Sequence, residues 1–177
     1  AESMSFIPMG GFKVTPNLGL TKAHADYYNN MGLTAEAVAE QFKVSREDQD
    51  AFAYNSHMKA LAAQKNGRLG AGIIPFEVEE VYLNEKGKRA NRKFTVAADE
   101  GPRADTSLEG LANLRPVFAA NGSVTAGNSS QTSDGAAFVV VMSERMVNEL
   151  NLKPIARMVS YAAAGVEPRI MGIGPVD

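Results

Sequence analysis

The stretch Thr125-Ala126-Gly127-Asn128-Ser129-Ser130-Gln131-Thr132-Ser133-Asp134-Gly135-Ala136 gathers small and polar side chains immediately before an apolar run. Small residues let a second backbone or a ligand come close, and Ser, Thr, Asn and Gln there could bind a ligand's amides or phosphates. A structural reading competes, in which Asn128 and Asp134 form Asx-type bonds that shape a turn. Asp99-Glu100-Gly101-Pro102-Arg103 is a sharp loop ending in a cation. Its guanidinium could grip a phosphate through a bidentate fork or lie flat on a base. The competing reading is a surface arginine beside Glu100 or Asp105.

Other candidates point nowhere specific. Lys86, Lys88, Arg89, Arg92 and Lys93 crowd one segment, but Phe94 is the one aromatic residue beside them, and Glu77, Glu79, Glu80 and Glu85 offset the charge. Nucleic-acid binding needs interleaved aromatics and a wider basic field, so this reads as a solvated hairpin. His24 and His57 are far apart and read as structural or exposed. No G-x-S-x-G elbow occurs, and Gly172-Ile173-Gly174 lacks the third glycine of a dinucleotide site. The glycosylation sequons at Asn121 and Asn128 read as chance matches. Cysteine is absent and histidines number two, so neither a disulfide framework nor a zinc site is expected, and no other metal site is expected.

The elements that must position these groups follow from pattern. Residues 6 to 30, broken by Pro8, Gly10, Gly11, Pro16, Asn17 and Gly19, read as loop. Thr34 can cap a helix whose Ala35, Val38, Ala39 and Phe42 recur at helical spacing. A second helix starts at Ser45 with Glu47 and Asp48 in its first turn, and Asn66-Gly67 stops it. Its apolar face runs through Ala51, Phe52, Asn55, Met58, Leu61 and Ala62. Ile73 to Leu83 and Lys88 to Val96 flank a turn and read as a hairpin. Thr106-Ser107-Leu108-Glu109 fits a capping box for a short helix that Pro116 must end. Ala136 to Met142 reads as a strand buried on both faces, Ser143 as the cap of a helix to Leu150, and Ile155 to Tyr161 as another strand. The class is α/β.

Composition agrees. The 177 residues amount to one domain or slightly more at ~150 per domain. Hydrophobic residues at 45% exclude disorder as the main state, and the longest apolar stretch, Gly135 to Met142, is far short of the ~20 residues of a membrane-crossing helix. A net charge of −2 gives nucleic acid or anionic membrane no footing as a partner.

Several runs then resemble the thiolase family, in its order and spacing across essentially the whole chain. They are Met31-Gly32-Leu33-Thr34-Ala35-Glu36, Val44-Ser45-Arg46-Glu47-Asp48-Gln49-Asp50-Ala51-Phe52-Ala53, Asp99-Glu100-Gly101-Pro102-Arg103, Leu114-Arg115-Pro116-Val117-Phe118, Thr125-Ala126-Gly127-Asn128-Ser129-Ser130, Asp134-Gly135-Ala136-Ala137 and Met171-Gly172-Ile173-Gly174-Pro175. Asn128-Ser129-Ser130-Gln131 and Met9-Gly10-Gly11-Phe12-Lys13 look more like the degradative 3-ketoacyl-CoA branch than the short-chain acetoacetyl-CoA branch.

The resemblance implies a fold of two α/β halves, with a loop domain inserted in the first. On it, residues 1–5 match the tail of the N-terminal half, 6–121 the inserted loop domain, 122–150 the last strand and helix of that half, and 151–177 the start of the C-terminal half. The family's reaction is reversible cleavage of 3-ketoacyl-CoA by coenzyme A through an acyl-cysteine intermediate. The family's catalytic cysteines, histidine and asparagine match no position here, so the resemblance implies an internal part of a thiolase with no catalytic residue of its own. The implied ligand contacts are Arg103 at the nucleotide end of coenzyme A and Ser130 on a pantetheine amide. Ala126, Phe118, Val117 and Leu111 would line the pantetheine arm, with Met31 near the acyl group. Asn30 stands where some members have His. Coenzyme A and acyl-CoA are thus expected as substrates, with no covalently bound cofactor. A homodimeric or homotetrameric parent in the cytoplasm, or in an organelle matrix if eukaryotic, is also implied. The rival expectation is a stand-alone coenzyme-A-binding or structural module; a cysteine-bearing reading frame on both sides would separate the two.

Overall fold

The computed structural model describes residues 1–7 and 11–176, so Met9 and Gly10 of the Met9–Lys13 motif lie outside the described residues. The chain divides into two compact units, one made of Ala1–Lys43 with Ser130–Asp177 and the other of Val44–Ser129.

In the first unit, helices α1 (Leu18–Ala23) and α2 (Met31–Phe42) flank a 3₁₀ turn at Ala25–Tyr28. The glycine and proline punctuation of 6 to 30 therefore hides two short helical turns. Asn17 supplies the missing signal, because its side chain accepts from the Leu20 amide while its own amide donates to Tyr28 Oη. Helix α2 begins at Met31, not after Thr34: Asn30 Oδ1 accepts from the Leu33 amide, and Thr34 Oγ1 instead donates back to the Met31 carbonyl. Buried Thr34 and Ala37 lie on this helix, and a 3₁₀ segment, Pro168–Val176, buries Ile170 and packs against α2. Arg169 fastens that contact, donating to Gln41 Oε1 at 3.1 Å and lying 3.6 Å from Glu40. A single bridge joins Glu2 to Gly135, and Asp134 accepts from the Ser5 amide, which holds its carboxyl below the usual range. Helix α5 (Glu144–Glu149) is capped by Ser143 as its sequence directs.

The segments 136–142 and 155–161, both expected as strands and the first as one buried on both faces, form no ladder among the described residues and are largely exposed. Phe138 is 91% accessible and its three valine neighbours nearly as much. A strand exists only with a neighbour to take its amides and carbonyls, and Val, Phe and Ile give a segment the propensity for a sheet without giving it one.

In the second unit, helix α3 (Arg46–Lys65) has Ser45 as cap, Ser45 Oγ accepting from the Asp48 amide at 3.1 Å and donating to Asp48 Oδ2 at 2.8 Å. Its end is the Asn66-Gly67 pair, with Gly67 at φ +71 and the Arg68 amide closing on the Ala63 carbonyl. Strands β1 (Phe76–Leu83) and β2 (Arg89–Val96) form an antiparallel hairpin with Phe76 opposite Val96 and Leu83 opposite Arg89. The first strand starts after Pro75, which has no amide to give a ladder. Asn84 Oδ1 accepts from the Lys86 and Lys88 amides, shaping the turn. The crowded cations are offset across the strands, Arg92 on Glu80 at 2.6 Å and Lys93 on Glu79 at 3.6 Å, and Arg92 also lies over the Tyr82 and Phe94 rings. Helix α4 (Leu108–Ala112) is capped by Ser107, one residue later than the capping-box register, through the Gly110 amide.

One buried polar cluster ties this unit together. Asp50, 4% accessible, sits on the first turns of α3. Its Oδ2 takes a 2.7 Å bond from Arg46 Nε and its Oδ1 a 3.0 Å bond from Asn128 Nδ2. Arg46 Nη2 continues to the Leu111 and Leu114 carbonyls, which closes the end of α4. Asn128 Nδ2 also donates to the Ser123 carbonyl, and its Oδ1 accepts from the amide of Thr125, a residue with no accessible surface. Ser129 Oγ donates to the Thr125 carbonyl at 2.6 Å, and Gln49 Nε2 reaches Ser123 Oγ at 2.9 Å. The packed side of α3 is thus the one carrying Arg46 and Asp50, and Phe52, expected on the buried face, is 79% exposed. Gly127 completes the closure. A Cβ there would lie 2.5 Å from both Leu111 Cδ2 and Leu114 Cδ1.

Two outcomes follow. Asp50→Ala leaves Arg46 and Asn128 without their shared acceptor and should cost about 3 kcal/mol, the low end for a broken buried pair because Arg46 keeps some solvent. Urea midpoints should show this, and adding Asn128→Ala should cost less than its single-variant effect by about 1 kcal/mol or more. Additive losses would mean that the two side chains act separately. The 177-residue polypeptide should self-associate in sedimentation velocity through 136–142, and Val139→Lys with Val141→Lys should reduce that association. A strictly monomeric chain with a sharp unfolding transition would contradict it.

Candidate functional site

The second unit brings together five of the seven residues singled out from sequence: Arg103, Leu111, Val117, Phe118 and Ala126. Met31 and Ser130 fall in the first unit. Met31 is the first residue of α2 and half exposed, and the neighbouring Asn30 is engaged as the helix cap. Ser130 is exposed and directly follows the braced loop that ends at Ser129.

The loop from 97 to 107 is held against α3 at two backbone points. Gln64 Nε2 donates to the Asp99 carbonyl at 3.1 Å. The Arg103 amide donates to His57 Nδ1 at 3.1 Å, which requires that nitrogen to carry no proton. The histidine read from sequence as structural is therefore the pin of the loop. Beyond the pin, the Arg103 side chain is 67% accessible and pairs with Asp105, Nε to Oδ1 at 3.2 Å and Nη2 to Oδ2 at 3.0 Å. That hydrogen bond and the opposite charge raise the guanidinium pKa and hold the Asp105 carboxyl below its usual range.

The apolar candidates divide by exposure. Leu111 is buried against the Gly127 backbone and belongs to the core of the unit. Val117, Phe118 and Ala126 face outward. Their backbones are set by a bridge between Pro116 and Thr125 and by the Val117 amide, which donates to the Val124 carbonyl. An exposed apolar surface with amide-bearing loops at its margin suits a flexible arm that carries its own amides. In Thr125-Ala126-Gly127-Asn128 the turn reading is met by Asn128, whose Oδ1 accepts from the Thr125 amide, and the bare Gly127 leaves room for Leu111 of α4 and Leu114 just beyond it; Asp134 instead bonds to the distant Ser5 amide.

Sequence reasoning missed Arg46, Gln49 and Asp50, which it quoted only within a family-like run and gave no structural role, the first-turn charges it named being Glu47 and Asp48. The signal was present, since an Arg and an Asp four apart share one face and can form a pair. Among the described residues no cluster of three or more His, Asp or Glu could hold a metal, and no helix is long and apolar enough to cross a membrane.

Comparison with known proteins gives this geometry its kin. Residues 9–145 match the family model described as the thiolase N-terminal domain. The chain is 48% identical, over its whole length, to a 3-ketoacyl-CoA thiolase of Bacillus subtilis (strain 168), of which it covers 45%. It is 50% identical over 85% of its length to an acetyl-CoA acetyltransferase of Allochromatium vinosum, covering 37% of that protein. Its structure overlays the crystal structure of the dimeric peroxisomal thiolase of Saccharomyces cerevisiae with a TM-score of 0.78 and 36% identity, covering 98% of this chain and 42% of that one. A Bacillus anthracis acetyl-CoA acetyltransferase gives a TM-score of 0.67 at 46% identity over 81% of this chain and 34% of that one. The chain thus spans less than half the length of the relatives it matches, and its α/β fold is theirs. With a family model spanning most of the sequence and neighbours agreeing in sequence and structure, the chain belongs to the thiolase family.

Proposed function

We propose that these residues form the coenzyme-A-handling portion of a thiolase that cleaves 3-ketoacyl-CoA with coenzyme A, or condenses acetyl-CoA in reverse. The observation that carries this reading is whole-chain identity of 48% to a protein named 3-ketoacyl-CoA thiolase, in a sequence without a single cysteine. The chemistry needs a thiolate nucleophile, so sequence beyond these residues supplies it, and this chain supplies binding. Arg103 holds the nucleotide end, and Ser130 bonds a pantetheine amide. Ala126, Phe118 and Val117 flank the arm, Leu111 backs them from the core, and Met31 approaches the acyl group. In the family's division, 6–121 is the loop domain over the active site and 122–150 closes the N-terminal half. A homodimer or homotetramer is the proposed assembly, supported by the dimeric yeast relative.

Two measurements test this. The 177-residue chain, purified free of contaminating thiolase, should not cleave acetoacetyl-CoA; turnover by it would remove the division of labour. In the full protein encoded by the gene carrying these residues, Ser130→Ala should raise KM for coenzyme A by about twofold to tenfold with a smaller change in kcat, as loss of one neutral hydrogen bond remote from the reacting carbon requires. Arg103→Ala should do at least as much. If neither variant alters coenzyme A binding, these residues are not its contacts.

A further inference from the structure

The Arg103 guanidinium is the one cation of its loop, yet it is a poor trap for an anion. Between residues 99 and 105 the sequence carries Asp99, Glu100 and Asp105 against it. Its Nε and Nη2 edge, one of the forks that would grip a phosphate, is already filled by Asp105 at 3.2 and 3.0 Å. What remains open is the flat face, since the side chain is largely solvent-accessible and no aromatic ring of the described residues lies over it. Its main chain is fixed by the bond from the Arg103 amide to His57 Nδ1. Backbone and guanidinium are thus each held by a separate partner.

We propose that Asp105 is a positioning residue of the coenzyme A site, clamping Arg103 edge-on so that it offers a planar face to the nucleotide base instead of a free fork to a phosphate. This rests on the assignment of Arg103 to the nucleotide end of coenzyme A made above. Asp105 itself touches no ligand. An unclamped arginine samples many rotamers and must be ordered when the ligand binds, whereas a bidentate carboxylate has ordered it beforehand. The clamp also offsets the guanidinium charge, so the contact it builds does not depend on a phosphate's charge.

The experiment is steady-state kinetics of the full protein with coenzyme A and with 3′-dephospho-coenzyme A, at low and high ionic strength. Asp105→Ala should raise KM for coenzyme A by about threefold to tenfold with kcat little changed. Asp105→Asn, which keeps one acceptor oxygen, should fall between it and the parent. The penalty should be equal for the two ligands at either ionic strength. It should vanish in an Arg103→Ala background, because Asp105 acts only through that side chain. Tighter coenzyme A binding in Asp105→Ala would overturn the proposal, showing the carboxylate to be a repelling charge. So would a penalty confined to the 3′-phosphorylated ligand, or one undiminished without Arg103. An Arg103→Ala variant with unchanged KM would instead sink the coenzyme A assignment itself, and the clamp with it.

Discussion

A carboxylate taken out of water must be fully partnered, and Asp50 meets that demand by binding two segments at once. Arg46 comes from its own helix and Asn128 from a loop 78 residues further along the chain. Each partner then makes the next connection, Arg46 to the carbonyls that end α4 and Asn128 to the Thr125 amide and the Ser123 carbonyl. Among the described residues no buried side-chain polar atom is left unpaired. Such a network is worth its desolvation only when complete, which makes it selective for one arrangement of helix, turn and loop.

The candidate contacts inherit their order from this closure. Ala126 and Ser129 sit inside the braced loop, and Ser130 is the next residue. Val117 and Phe118 follow the turn that the Arg46 bonds terminate. Arg103 depends on a different support, the backbone bond to His57 on the same helix α3. Helix α3 therefore serves both ends of the second unit, its first turns holding the small polar loop and its later turns the acidic loop. The side chains proposed to meet a ligand stay exposed while the groups that place them are bound.

What the sequence made legible was what is local. Ser45 as a cap, the Asn66-Gly67 stop, the Asn84 turn and the Ser143 cap are each settled by bonds within a few residues. Motifs in order sufficed for the family. Arg46 and Asp50 were not legible as a hub, because their value lies in Asn128 and two leucine carbonyls that no spacing rule connects to them. The short turns before residue 30 were hidden by glycine and proline, and the cap of α4 slipped by one because Thr106 and Ser107 are both good caps. The segments 136–142 and 155–161 were misread for a deeper reason. Apolar β-formers state a preference for a sheet, and a sheet is a property of at least two segments.

The hairpin β1–β2 and the segment 136–142 differ in how they meet an incoming strand. Each hairpin strand leaves one edge open, and both are patrolled by charge: Glu77, Glu79 and Glu80 on one, Arg89, Arg92 and Lys93 on the other. A foreign strand laid along either edge would have to desolvate those gatekeepers. Phe138-Val139-Val140-Val141 has no such sentinel between Ala136 and Met142. Between the hairpin and this segment, lateral pairing is therefore directed to the segment. The same absence of charge that marks the segment for a sheet interior makes it the point at which an unattended copy would begin to polymerise.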